Sequence, residues 1–467
     1  MKRKIYRVAH WCMGILSFAL FSFVVWIGCN ERNLAFLKWN PQYLYILLPI
    51  AVLSLLIPAL TIVLCLRSKD RLGIVPVLLT VLGLTIAMVT FFSFGVFSPH
   101  TDKPVQLMLV DSAGSQGYPS VAAVWYTQHP TKSTLSYGTQ AGRLSFEVGE
   151  NHKQHTHGLI FENLIPHTTY YYSIDGQPEK TFTYFPEYQG GLRFLIGSDA
   201  HIGAETNDSE ATVKILEQAA DADNRYSAFF NLGDTVERGD NESQITSQMQ
   251  LFSPYTSIVP IRSLMGNHDG LFGGDSRWRT YRYPAVLPSQ SSGSSLYHRF
   301  DLSPSIHVFM LDFEWGTESY TAGQRAWFEN ELKDIDKDDL VIVMDHAYFF
   351  ASSTKYHGLP WYDNQEMIDT FHKLFVDHGI DLVFSGHDHQ MEHITRDGVE
   401  YFIVGALGGA FDNEPTYISP GSLFRDFSHH GYADLEINQG TVSVVLRESD
   451  GSALYSWKKQ WKGNNLF

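Results

Sequence analysis

The chain has 467 residues, a formal net charge of −16 and 44% hydrophobic residues, which gives length for two or three folded units and enough apolar side chains for ordinary cores. The negative balance excludes a broad nucleic-acid platform, because gripping a phosphate backbone needs clustered Lys and Arg. Its three cysteines, Cys12, Cys29 and Cys65, all fall early, which excludes a disulfide framework or a thiolate zinc site in the rest of the chain.

Three charge-free runs open the chain: Trp11 to Cys29, Pro41 to Leu66 and Leu72 to Pro99. Each approaches the ~20 residues that a helix needs to cross a bilayer. They predict a membrane domain over residues 1–100, with three transmembrane helices at about 11–29, 43–66 and 72–98. Lys2, Arg3, Lys4 and Arg7 precede the first run, and Arg67, Lys69 and Arg71 lie between the second and third. Basic flanks belong on the cytoplasmic side. The expectation is therefore an integral protein of the plasma or inner membrane, with everything beyond Pro99 extracytoplasmic.

Ser98 to Pro104 reads as a linker. From Val105 to Tyr184 short runs rich in β-branched and aromatic residues recur between Gly, Pro, Asn and Asp, the pattern of a small β-sandwich. Leu164-Ile165-Pro166-His167-Thr168-Thr169-Tyr170 resembles the tyrosine corner of fibronectin type III modules. His152, His155 and His157 sit close together, but three histidines in a polar stretch are more often a solvated loop and strand edge than a metal site.

After Gly190 strand-like and helical runs alternate. Strands are predicted at Leu192–Ser198, Ala228–Leu232, Pro260–Met265, Leu340–Met344 and Asp381–Phe384. Helices are predicted at Ser209–Ala222, Gln324–Ile335 and Gln365–Val376. This alternation argues an α/β architecture with its site at the carboxyl ends of strands.

Each of those strands runs into a polar block: Asp199-Ala200-His201, Gly233-Asp234, Gly266-Asn267-His268-Asp269, Asp345-His346 and Gly386-His387-Asp388-His389. One such block alone is usually a turn or a cap. Five in order, each closing a strand, make a donor set of oxygen and imidazole without thiolate, which suits Mn, Fe, Zn or Ni.

The set resembles the calcineurin-like metallophosphoesterases, over roughly Leu192 to Gly408. With the sandwich in front, the region from Lys103 onward resembles the purple acid phosphatase group. The resemblance implies an α/β (α+β) fold: a metallophosphoesterase β-sandwich flanked by helices over 190–467, preceded by a fibronectin-like all-β sandwich over 101–187. It implies two metal ions per chain, Mn, Fe or Zn. One would be held by Asp199, His201 and His389, the second by Asn267, His346 and His387, with Asp234 bridging. The pair would polarise a phosphoryl group and generate hydroxide for in-line attack. His268 would be the general acid.

Glu237 stands where purple members carry their iron-binding Tyr, so the resemblance implies a colourless protein. Gly233-Asp234-Thr235-Val236-Glu237-Arg238-Gly239 is closer to the G-D-Y-V-D-R-G block of Ser/Thr protein phosphatases. By that likeness Glu237 orients His268 and Arg238 clamps phosphate. The alternatives are a surface pair that merely packs and, for His357, either a substrate contact or an exposed loop residue. Trp361, Tyr362 and Phe350 either wall the substrate or pack their loop. The expected function is hydrolysis of phosphomonoesters or phosphodiesters. A lipid-linked or pyrophosphate substrate and a non-catalytic binding or sensor protein are the rival readings.

Overall fold

A computed structural model describes residues 2–28, 33–34, 37–38, 43–67, 83, 85, 98–113, 117–282, 292–356 and 358–461. It divides into two compact units, Met1–Ser98 and Pro99–Phe467.

In the first unit, helices α1 (Lys2–Gly28) and α2 (Leu44–Arg67) pack against each other. Among the described residues no helix is long and apolar enough to cross a membrane. This overturns the expected three transmembrane helices, and with them the membrane partner and the integral-membrane placement. Charge-free runs record composition alone, and composition does not decide whether the described residues form a helix of spanning length and apolarity. The third predicted span, 72–98, lies outside the described residues except at 83, 85 and 98.

The second unit begins with β1 (Lys103–Ala113), β2 (Pro119–Thr131), β3 (Thr134–Gly138), β4 (Phe146–Gly149), β5 (Gln154–Ile160), β6 (Thr168–Ile174) and β7 (Lys180–Tyr184). Strands β4-β3-β6-β7 form one sheet, and β1-β2-β5 face it. Alternate residues fill the space between: Leu107, Leu109, Val121, Ala123, Tyr137, Tyr172 and Phe182 are all buried there. The Ile165 N–H donates to the Tyr170 hydroxyl at 2.8 Å, closing the turn before β6. His157 is not a metal ligand in this arrangement. It stacks on Trp125 at 4.7 Å and bonds Glu150 at 2.7 Å through Nδ1.

The chain continues through β8 (Gly191–Gly197), α3 (Ser209–Ala220), β9 (Ala228–Asn231), α4 (Glu242–Thr256), β10 (Ile261–Ser263), α5 (Asn267–Gly270) and α6 (Gly274–Arg282). Asp208 caps α3 by accepting from the Ala211 N–H. Next come β11 (His298–Ser303), β12 (Ile306–Met310), α7 (Ala322–Glu331), β13 (Leu340–Met344) and the short pair β14 (Lys355–Tyr356) and β15 (Leu359–Pro360). The last strands are β16 (Leu382–Ser385), β17 (Met391–Arg396), β18 (Val399–Val404), β19 (Ser422–Asp426), β20 (Gly431–Asn438), β21 (Thr441–Glu448) and β22 (Ala453–Gln460).

These strands build two large sheets, ordered β22-β21-β20-β8-β9-β10-β1-β2-β5 and β11-β12-β13-β16-β18-β17-β19. The sandwich is thus not a separate bead: β1 pairs in parallel with β10 at Met108 and Ile261, so one sheet runs through both parts. Phe194, Ile196, Phe230, Val308, Ile342, Phe384 and Phe402 share the core between the large sheets. On the outer face of the first sheet, Leu195 and Phe229 meet Ile215 and Leu216 of α3 and Phe252 of α4. On the outer face of the second, Val341 and Val343 meet Phe328 of α7 and Phe371 and Phe375. At the centre of each sheet both faces are covered, which is why β8 and β13 are buried along their whole length.

Candidate metal centre

Strands β8, β9 and β10 are parallel neighbours in the first sheet, and β12, β13, β16 and β18 in the second. Parallel strands deliver their carboxyl ends to one edge. The five polar blocks come directly after β8, β9, β10, β13 and β16, so the fold gathers them from both sheets.

Convergence demands that backbones pass closely. A Cβ on Gly266 would lie 2.1 Å from Asp234 Oδ1, and one on Gly386 would lie 2.6 Å from Asp199 Oδ2. Only glycine fits there. The turns are also strained: Asp199, His201, Asp234 and His387 have φ of 64°, 46°, 48° and 70°. Non-glycine residues rarely take this left-handed region, and where they do the surrounding structure is holding them for a purpose.

Two clusters result. His201 and His389 place Nε2 at 3.6 and 3.4 Å from Asp199 Oδ1. Asp234, His346 and His387 form the second group, with Asn267 Oδ1 at 3.0 Å from His346 Nε2. Asp234 Oδ2 lies 3.5 Å from His201 Nε2 and 3.4 Å from His346 Nε2, between the two clusters. Asp199 Oδ1 and His201 Nε2 are buried and lack any hydrogen-bond partner. Buried polar atoms are almost always satisfied, so two orphaned donor atoms aimed at one point fit a cation. The donor set as a whole fits a binuclear metal centre.

The ring orientations are set from outside. His346 Nδ1 donates to the Leu232 carbonyl at 2.9 Å and His389 Nδ1 to the Ala410 carbonyl at 2.5 Å. A carbonyl can only accept, so Nδ1 carries the proton and Nε2 faces the cluster. The His389 N–H donates to Asp412. Asp269 accepts from the Thr235 hydroxyl and N–H at 2.7 and 3.1 Å, which fixes the loop carrying Asp234.

Electrostatics reflect burial and crowding. Burial pushes the Asp199 carboxyl up, but the imidazoles of His201 and His389, 3.6 and 3.4 Å away, and that of His346 more than offset it and hold it well below the carboxylate range. Asp234 is likewise lowered, its burial outweighed by the imidazoles of His346, His268 and His201. Burial pulls His346 down, yet Asp234 raises it to about 9. His387 goes the other way: burial, then the charge of His346, hold it well below the usual imidazole value.

Glu237 stands within reach of two imidazoles, those of His201 and His268. Its Oε2 accepts from His201 Nδ1 at 3.0 Å and stands 3.5 Å from His268 Nδ1. His268 Nδ1 donates instead to the Glu237 backbone carbonyl at 2.7 Å. Arg238 points Nε and Nη2 at Asp240, at 3.0 and 2.7 Å. His357 lies outside the described residues. Trp361 stands beside His387 with ring centroids 5.0 Å apart. Tyr362 stacks on Tyr417 and Phe350 packs against Tyr401, so neither joins that wall. Trp315, in the loop after β12, also meets His387, at 4.8 Å. No motif marks it in the sequence. Asp412 is equally illegible there, being 23 residues from the histidine it supports.

Residues 192–391 match the family model described as calcineurin-like phosphoesterase. Probable purple acid phosphatase 20 of Arabidopsis thaliana is 26% identical over 359 residues, covering 68% of this chain and 78% of that protein. Acid phosphatase type 7 of Mus musculus is 21% identical, covering 75% of this chain and 89% of that protein. Among solved structures, the purple acid phosphatase PPD1 from yellow lupin seeds superposes with a TM-score of 0.63 at 15% identity, covering 78% of this chain and 75% of that one. At that identity the superposition speaks for the fold.

Proposed function

We propose that this chain, a calcineurin-like metallophosphoesterase and metal-dependent phosphatase similar to the purple acid phosphatases, hydrolyses phosphomonoesters or phosphodiesters. The observation that carries the reading is Asp234 Oδ2 standing between two ligand clusters, 3.5 Å from one imidazole and 3.4 Å from the other. Asp199, His201 and His389 would hold one cation, Asn267, His346 and His387 the second, with Asp234 shared. The two cations, when bound, supply charge neutralisation for the phosphoryl group and an activated water.

The chain's own residues do the rest. His268, held through Nδ1 by the Glu237 carbonyl, is the candidate proton donor to the leaving oxygen. Glu237 holds His201 by a carboxylate–imidazole bond, a support that sets ligand orientation and basicity. Arg238, fixed by Asp240, is the candidate cation for a phosphate oxygen. Residues 101–187 are read as a fibronectin type III-like sandwich and 190–467 as the catalytic domain. The strand arrangement and the Tyr170 corner support the first.

The lipid-linked and pyrophosphate readings drew on a membrane anchor and lose that motive. A binding protein on an inherited scaffold has no need for every ligand position to be filled. Arg238→Ala tests the phosphate contact: KM for an aryl phosphate rises while bound metal stays constant. An unchanged KM removes Arg238 from the site.

A further inference from the structure

One buried cation beside the ligand loops has no place in the ligand set. Arg282, the last residue of α6, is 5% exposed. Its Nη2 donates to Gln248 Oε1 of α4 and to the Thr235 hydroxyl, the latter at 3.4 Å. Arg282, Thr235 and Asp269 line one small cavity together with Trp278 and Tyr281. Among the described residues Arg282 makes no direct ion pair, and the carboxylate whose charge acts on it is Asp269. Burying a guanidinium is costly unless an opposite charge answers it.

Asp269 ties two ligand loops together. Its Oδ1 accepts from the Thr235 hydroxyl and N–H, and its Oδ2 accepts from the Gly266 N–H at 3.1 Å. Thr235 follows Asp234, and Gly266 precedes Asn267. One buried carboxylate therefore joins the exit of β9, with the shared ligand, to the exit of β10. The bond directions along the chain are forced. A guanidinium only donates and a carboxylate only accepts, so the Thr235 hydroxyl takes a hydrogen from Arg282 and gives its own to Asp269. Asp234 sits at φ 48°, a conformation that persists only where the surrounding structure imposes it.

We propose that Arg282 is a positioning residue: acting through Thr235 and Asp269, its buried charge holds the loop that presents Asp234 in its metal-binding shape before any cation arrives. The inference rests on the two-metal reading above. Arg282 touches none of the metal ligands and lies 47 residues from Thr235 in sequence, so it belongs to none of the five polar blocks.

The test follows backbone amide exchange and Mn binding in the full chain. In chelator-treated wild type the amides of Thr235, Val236 and Gly266 keep the slow exchange of the Mn-loaded protein, because the loop is held without the metal. In Arg282→Met those amides exchange faster, while the amides of Leu340–Met344 in β13 exchange as in the wild type. Mn binds that variant about 10- to 100-fold more weakly, the scale of losing a ligand's supporting partner. Thr235→Val, which removes the intervening hydroxyl, weakens binding in the same way, and Thr235→Ser, which keeps it, restores binding. Adding Arg282→Met to Thr235→Val brings no further loss, because the two act in one chain. Additive losses, or a β13 loosened as much as the loops, leave Arg282 a structural role only and overturn the proposal. Fast exchange of the three amides in chelator-treated wild type also overturns it, and needs no variant to fold. Wild type that binds fewer than two Mn sinks the two-metal reading, and the positioning role with it. Two bound Mn with unchanged affinity in Arg282→Met overturns the positioning role alone.

Discussion

Asp234 owes its position to backbone, not to side-chain reach. Its φ of 48° and the glycines at the β9 and β10 exits put one carboxylate between two imidazole clusters. Around it the individual side chains make separable predictions. His268→Asn lowers kcat by ~10²-fold or more, the usual worth of a positioned proton donor. The loss is steeper for esters with poor leaving groups, and metal content is unchanged. Glu237→Gln lowers turnover ~10-fold through His201, as loss of a ligand's supporting partner does. Metal content and the kcat-against-KM split separate this from loss of a proton donor. The His346 imidazole gives a pH signature. Its value in the metal-free fold is raised to about 9, above the ordinary ~6.5 of an unfolded chain. The stability it contributes is complete below ~6.5 and is lost as pH rises through about 9. A cation takes the proton's place there. The gap in Tm between metal-loaded and chelator-treated protein therefore widens from about pH 6.5 to about pH 9, as read by thermal unfolding across that range. A constant gap contradicts the assignment of His346 as a ligand.

The elements that carry the centre are the legible ones. Leu340–Met344 is a strand with the same bounds in sequence and structure, and β8, β9 and β16 agree within a residue or two. Buried parallel strands are short continuous apolar runs, and here each ends abruptly in Gly or Ser before its polar block. Elements without that contrast escape a sequence reading. Helix α4 is Gln- and Ser-rich with Pro254 inside it, β3 is only five residues long, and β19 is short and half-exposed. The motif puts Glu237 in the site, but its bond to His201 depends on the loop path, which no spacing encodes. The loop exits also predict where the fold is intolerant. A Cβ at Gly386 would lie 2.1 Å from Ser198 Oγ and 2.6 Å from Asp199 Oδ2. Gly386→Ala should therefore cost ~1–3 kcal/mol, the range for overpacking a tight core, and lower metal occupancy. Chemical denaturation and metal analysis read both. A fully stable, fully loaded variant contradicts the close-approach account.

At the scale of the whole molecule, composition and periodicity separate an apolar first hundred residues from the remainder of the chain, and the structure divides into compact units Met1–Ser98 and Pro99–Phe467. They do not say what the apolar runs do. Absence of charge is not spanning capacity, and no described helix has the latter. Nor do they show that β1 joins β10, because pairing between distant strands leaves no local trace. That junction makes the sandwich and the catalytic sheet continuous. The central claim is that the gathered ligands form a two-metal phosphoesterase. The measurement is metal per chain together with hydrolysis of an aryl phosphomonoester and its bis-aryl diester, for the Mn-loaded chain beside Asp234→Asn. The account predicts two Mn per chain and turnover of at least one ester, with turnover and the metal pair lost together in the variant. Turnover that survives Asp234→Asn, or two bound metals with neither ester hydrolysed, would contradict it.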